Sequence, residues 1–363
     1  MSGLFDRFRF RNGVIAPNRI ALAPLTNQQS HPDGTLSDVE LAWLVRRALG
    51  GFGIVTTCAA FVAQDGKAWP GELGVDRDDQ VARLAELAAA LRAGGALPMV
   101  QLFHGGTRAP SEISGSRPWS ASEYVEDRPG YEVPRAATEA DLESAIEAFA
   151  AAAARCARAG FAGVELHGAH GYLLSQFLST TMNTRSDRYG GSLEHRARLI
   201  RAVMQAVRAR VPAELVVGVR LSPEDFGQAK GLDLDETVAV ARWLCDDGAD
   251  FIHLSLWRTE RMTTKRPAEH AIPLFRAACP ADVAIIAAGN LWTVADGQAA
   301  LDRGADLIAL GRAAIANPDW PREARGDGWE PRRPPLTIDE LVARAASRDF
   351  AGYLRQFKGF VAD

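Results

Sequence analysis

Eight short apolar runs, separated by helix-like stretches, constrain this sequence more than any other feature. They fall at residues 20–23, 54–58, 97–103, 163–166, 215–221, 251–254, 283–287 and 307–310. Their apolar residues are consecutive rather than alternating, the pattern of strands covered on both faces. Between them, helical periodicity is expected over 38–49, 78–92, 139–159, 193–210, 234–247 and 292–302. One junction recurs three times, with Gly160, Gly248 and Gly304 each standing just past a helix and just before a strand. The pattern predicts an α/β fold, a closed (β/α)8 TIM barrel of parallel strands inside a ring of helices. A doubly wound open sheet would share these junctions, but no Gly-x-Gly-x-x-Gly fingerprint follows the first run.

Two additions to the barrel are expected. Residues 4–17, with the turn pair Asn12-Gly13, read as a hairpin covering the barrel floor, and residues 104–138, rich in Gly, Pro and Ser, as an excursion after the third strand. The chain reads as one domain over residues 1–363, with a barrel core of about 18–320 and an extension over 321–363. In that extension Pro331, Pro334 and Pro335 precede a helical pattern at 339–346, which is expected to pack on the barrel or form a contact within a homo-oligomer.

Composition removes several function classes. A formal charge of −4, with the basic residues scattered, offers no field for nucleic acid. Cys58, Cys156, Cys245 and Cys279 are too far apart to form the close pairs of zinc or iron–sulfur sites. The amino terminus interleaves charge with aromatics, unlike a secretory signal, and no apolar run reaches membrane-spanning length, so a cytoplasmic protein without a membrane partner is expected.

Chemistry concentrates in residues 161–198. The fourth apolar run stops at His167, and His170, Tyr172 and Ser175 follow at once. Barrel enzymes place reacting groups where strands end, because the strand fixes the backbone while the next loop reaches the ligand. The spacing of His167 and His170 lets a tight turn aim both imidazoles at one acceptor; two histidines satisfied within the loop, or a metal pair lacking its remaining ligands, are the other readings of the same spacing. A second concentration closes the barrel. Ala288-Gly289-Asn290 follows the seventh strand and Leu310-Gly311-Arg312 the eighth, where barrel folds hold phosphate on backbone N–H groups and a guanidinium.

Together these residues resemble the Old Yellow Enzyme family of flavin-dependent ene-reductases. The likeness rests on Pro24-Leu25-Thr26, Gln101, His104, His167-Gly168-Ala169-His170-Gly171-Tyr172, Arg220 and Gly311-Arg312, over about residues 5–320. Its most specific portion is Gln176-Phe177-Leu178-Ser179, followed by Asn183, Arg185, Asp187, Tyr189-Gly190-Gly191-Ser192 and Glu194. The resemblance implies a non-covalent FMN reduced by NAD(P)H and reoxidised by a small electron-poor alkene in the same pocket, hence ping-pong kinetics. By position, Pro24, Thr26, Ala59, Gln101 and Arg220 would surround the ring system, and Gly289, Gly311 and Arg312 would hold the phosphate. His167 and His170 would bind the substrate carbonyl oxygen, and Tyr172 would protonate the α-carbon opposite the hydride.

Departures from the family pattern are Leu25-Thr26 after Pro24 and Gln28, which replaces a substrate-pocket Tyr of one bacterial branch, together with Ser179-Thr180 and His195, which bear on loop packing more than on chemistry. Trp257 and Arg258, after the sixth strand, are further candidates for shaping the substrate mouth or meeting the nicotinamide phosphates. No metal is expected. Larger relatives add an iron–sulfur segment and dinucleotide-binding domains after the barrel, and this chain is expected to take electrons directly at the flavin. A barrel lyase or isomerase acting on a phosphorylated substrate and a non-catalytic flavin sensor are the alternatives. The former would need a Schiff-base Lys or a carboxylate base, and Lys residues are few and none ends a core strand.

Overall fold

The computed structural model describes residues 3–126 and 130–362. Eight parallel strands close into a barrel: β1 (Ile20–Leu22), β2 (Ile54–Phe61), β3 (Leu97–Phe103), β4 (Gly163–Gly168), β5 (Val216–Leu221), β6 (Phe251–Ser255), β7 (Ala284–Ala288) and β8 (Leu307–Leu310). Each pairs with its sequence neighbours, and β8 returns to β1 through Ala309 beside Ala21. The main outer helices are α1 (Asp38–Leu49), α2 (Val81–Ala93), α3 (Glu139–Arg158), α4 (Arg198–Arg210), α5 (Leu234–Asp246), α6 (Ala271–Ala278) and α7 (Val294–Asp302).

Local chemistry explains where these helices begin. Thr138 and Asp141 cap α3 reciprocally, as Thr293 and Asp296 cap α7, while the Ser37 hydroxyl accepts the Glu40 N–H at 3.1 Å at the start of α1. The helix α6 has no counterpart among the sequence expectations because Pro273 interrupts the pattern. It forms because Pro273 lies in the first turn, where a missing N–H leaves no carbonyl unpaired. The stretch expected as one helix over 193–210 is instead a turn at Leu193–Arg196 followed by α4.

Inward-facing residues alternate along each strand, so they stack in layers. The lower layer is apolar: Met99, Val216, Phe251, Ile286 and Leu307 pack with Phe10, which enters from the hairpin Phe8–Arg9 paired with Ile15–Ala16. That hairpin covers the amino-terminal end as expected, and Gly13 supplies its left-handed turn at φ +90°. Gly218 leaves room for Phe251, since a Cβ there would lie 2.4 Å from the ring. Two residues further along β3, β4 and β6 the interior turns polar, with Gln101, Glu165 and His253 all buried.

The excursion after β3 pairs Trp119–Ser120 with Arg135–Ala136, and residues 127–129 of it lie outside the described residues. The extension packs back on the barrel. Its helices α8 (Ile338–Ala343) and α9 (Arg348–Tyr353) lie against α1, with Phe350 edge-on to Trp43 at 5.8 Å and the Ser347 N–H donating to Gln29 Oε1 at 2.9 Å. Tyr353, Leu354 and Phe357 thereby reach the mouth of the barrel. No described helix is long and apolar enough to cross a membrane.

Candidate active site

Strand register brings the principal groups together. Arg220 on β5 lies between His167 on β4 and His253 on β6, and Gln101 on β3 lies beside Glu165 on β4. An irregularity in β2 between Thr56 and Ala59 sets Ala59 opposite Gln101. Past β4 the chain doubles back: His170 adopts φ +61° and Gly171 φ +71°, and the His170 N–H is held by Ser222 Oγ at 3.0 Å. A left-handed histidine is strained, and here the strain folds His170 onto His167.

The two imidazoles form a directed chain of hydrogen bonds. His167 Nδ1 accepts the Ala169 N–H at 3.3 Å, so the neutral ring carries its proton on Nε2. That proton points to His170 Nδ1 at 3.2 Å, which leaves His170 Nε2 to donate to Ser255 Oγ at 2.5 Å. Arg220 also donates to Ser255 Oγ, at 3.1 Å. Burial and the Arg220 charge push the His167 pKa down to about 3, and the same causes hold His170 well below its ordinary value. Both rings are therefore neutral donors at physiological pH.

This has a measurable consequence for stability. The unfolded chain protonates His167 near pH 6.5, whereas the folded chain resists until about pH 3. Stability is fully present above pH 6.5 and falls as the pH drops through that window. At about pH 5, His167 alone should cost about 2 kcal/mol. Denaturant titrations at about pH 7 and about pH 5 are expected to show His167→Asn losing correspondingly less stability than the unmodified chain between them; equal losses would contradict the assignment.

A cavity of about 580 Å³ opens above these groups. It is lined by Pro24, Thr26, Ala59, Gln101, His167, His170, Tyr172, Arg220 and Trp257, so the residues expected around a ring system and a substrate do converge. Tyr172 packs edge-on to Phe103 at 4.6 Å and to His167 at 5.0 Å. Its hydroxyl has no hydrogen-bond partner among the described residues, and burial pushes its pKa up, so the phenol keeps its proton. Three expected residues fall elsewhere. Gln28 does not line the cavity; its left-handed φ of +54° turns the chain there, and its carbonyl lies against Gly71. Arg258 is ion-paired with Glu260 and lines a neighbouring pocket, and Ser175 is buried in the short helix Leu173–Leu178.

A contiguous cavity of about 410 Å³ extends to the loops after β7 and β8, and Gly289, Asn290, Gly311 and Arg312 line it. Arg312 donates to Asn290 Oδ1 at 2.9 Å, joining the two loops. Gly289 is required where it stands, because a Cβ there would lie 2.5 Å from the Leu256 carbonyl oxygen. If Arg312 holds the phosphate that the resemblance implies, removing it should weaken FMN binding by about tenfold, the lower end for a charge-assisted contact because the side chain is exposed. Titrating Arg312→Ala apoprotein with FMN checks this, and unchanged affinity would place the phosphate elsewhere.

Four polar residues of the site escape a reading of the sequence: Glu165, Ser222, His253 and Ser255. Glu165 Oε1 accepts from Gln101 Nε2 at 2.6 Å and Glu165 Oε2 from His253 Nδ1 at 2.7 Å. The available signal was a charged residue and a histidine inside apolar runs. Tyr353, which reaches the same cavity as Thr26 from α9, is a fifth.

The profile of the NADH:flavin oxidoreductase / NADH oxidase family matches residues 3–327. The chain belongs to that family. Among the relatives of this flavin oxidoreductase, a probable NADH-dependent flavin oxidoreductase of Bacillus subtilis is 36% identical over 323 residues, covering 87% of this chain and 86% of that one. NADH:fumarate oxidoreductase of Klebsiella pneumoniae is 36% identical over 328 residues, 87% of this chain but only 35% of that longer protein. The old yellow enzyme homologue of Zymomonas mobilis superposes with a TM-score of 0.82 at 29% identity, covering 94% and 96% of the two chains. Members of the family bind FMN and take electrons from NAD(P)H. The residues here fit that cofactor: Arg220 Nε is buried without a partner at the cavity, and cationic and backbone donors gather at the far end where a phosphate would lie.

Proposed function

We propose that this flavin oxidoreductase is an FMN-dependent ene-reductase acting on α,β-unsaturated carbonyl or nitro compounds. The observation that carries the reading is the meeting of two neutral imidazoles and an unpartnered phenol at the cavity that Arg220 and Gln101 also line. Thr26, Ala59, Gln101 and Arg220 would hold the ring system of FMN, and Gly289, Gly311 and Arg312 its phosphate. Held there, FMN would supply the hydride chemistry, linking NAD(P)H as electron donor to an alkene as acceptor.

The chain's own residues prepare that alkene. A substrate carbonyl oxygen competes for the His167 Nε2 proton that His170 Nδ1 now accepts, and for the His170 Nε2 proton now given to Ser255. Two donors on one oxygen draw electron density from the conjugated double bond and make its β-carbon electrophilic. Tyr172 holds the proton that the α-carbon needs, and burial keeps it on the phenol until carbanion character develops. Trp257 and the tail residues Tyr353 and Phe357 bound the space left for substrate. The name of the Klebsiella relative mentions fumarate, an alkene activated by carboxylates, which agrees with this class.

Colour tests the proposal directly. The purified protein is expected to be yellow, to bleach under NAD(P)H without oxygen, and to recover its colour on addition of an enone. A yellow protein inert to NAD(P)H would be a sensor, and a colourless protein that takes up no FMN would favour a lyase on the same barrel.

A further inference from the structure

Inside the barrel, one layer below the cavity, a carboxylate is surrounded by three groups that depend on it. Glu165 is 3% exposed, and its oxygens take the Gln101 amide at 2.6 Å and the His253 imidazole at 2.7 Å. His253 is the register neighbour of Arg220 across β5 and β6. Two atoms of this group are buried without a partner, Arg220 Nε and His253 Nε2. Apolar residues of similar volume would fill a barrel interior at no electrostatic cost, so a lone carboxylate here calls for a role other than packing.

We propose that Glu165, held by His253, is a positioning residue that aims Gln101 and tempers Arg220, and so sets how much more tightly the protein holds reduced than oxidised FMN. The inference rests on the FMN reading above. Its first half is a matter of donors and acceptors. An ionised carboxylate only accepts, so the amide nitrogen of Gln101 must face Glu165 and its carbonyl oxygen must face the cavity. With a neutral partner at 165, the amide of Gln101 could turn and present nitrogen instead. The second half is charge. Arg220 is the cation at the cavity floor, and Glu165 is the anion near enough to offset it. Reduced FMN carries more negative charge than oxidised FMN, so the net field of this pair acts on the difference between them.

The protonation states agree. Burial pushes Glu165 up, but the His253 hydrogen bond, the Arg220 charge and the Gln101 hydrogen bond act against it and the carboxyl lies below its ordinary value. Burial also holds His253 down, and because Nδ1 faces the carboxylate, Nδ1 carries the proton.

Two variants separate aim from charge. Glu165→Gln keeps the shape but removes the charge and lets Gln101 turn. Oxidised FMN should bind about tenfold more weakly to the apoprotein, while the ratio of reduced to oxidised affinities should rise about tenfold, a potential about 30 mV more positive. Glu165→Asp keeps the charge but cannot reach Gln101 and His253 together. It should weaken FMN binding by a similar factor and leave the potential near that of the unmodified protein. Affinities come from absorbance titration of apoprotein, and potentials from equilibrium reduction against a reference dye. A merely structural role would lower the melting temperature of both variants without moving their potentials apart. Wild-type affinity and potential in Glu165→Gln, or equal potential shifts in both variants, would overturn the proposal. Should Glu165→Gln fail to fold, unchanged FMN affinity in Glu165→Asp would overturn it alone. If the unmodified apoprotein takes up no FMN, the underlying cofactor reading fails instead.

Discussion

Tyr172→Phe is expected to leave the bleaching of the yellow protein by NAD(P)H nearly unchanged and to slow the return of colour with an enone by about 100-fold or more. The substitution removes one oxygen from a ring whose packing against Phe103 and His167 needs only its edges. No protein group loses a hydrogen bond, because the hydroxyl has none among the described residues, so the structural disturbance is small. What disappears is a proton at the place where an α-carbon would develop negative charge. Nitroalkenes should be spared, since a nitronate is stable enough to leave and be protonated by water. Stopped-flow traces of the two half-reactions provide the test. Equal slowing of both would mean that Tyr172 shapes the pocket rather than donating the proton.

The double variant His167→Ala with His170→Ala should bind phenol-like ligands, which mimic an enolate, about 100-fold more weakly while retaining FMN. Each imidazole contributes a buried donor to an anionic oxygen, and such bonds are worth about 1.5–3 kcal/mol each. The two rings are in contact, so their losses should not add fully. Either single variant is expected to remove more than half of the effect in free energy, because the chain from His167 through His170 to Ser255 is broken at any link. Retention of FMN follows from the separate location of Arg312 and Asn290 in the adjoining cavity. Charge-transfer absorbance of bound phenols measures the ligand affinity. Loss of flavin together with the ligand would mean that the histidines hold the cofactor.

Much of this architecture was legible because parallel barrel strands are buried on both faces and therefore read as continuous apolar runs. His167 could be placed because a strand end is a property of local sequence, whereas Gln101 and Arg220 stood out only through the family resemblance. Contacts across the barrel could not. Glu165 and His253 lie 88 residues apart, and only closure of the sheet makes them partners. Loop direction was equally opaque. Gln28 and Arg258 occupy the expected loops, but a left-handed backbone at Gln28 and the Glu260 carboxylate beside Arg258 fix where those residues go. The helix α6 was hidden by Pro273, and the place of the tail depended on Phe350 finding Trp43 across more than three hundred residues of chain.

That last contact bears on how the protein is made. The seam between β8 and β1, and the packing of α9 on α1, join segments very far apart in the sequence. During translation α1 must wait with Trp43 uncovered until Phe350 has left the ribosome, and the catalytic mouth gains Tyr353 and Phe357 only after that. Folding is thus weighted toward contacts of very large sequence separation, which form slowly and leave apolar surface open to nascent neighbours. Cells expressing this chain should therefore depend on chaperone capacity, and changes at Phe350 or Trp43 should reach the substrate entrance through the tail they anchor.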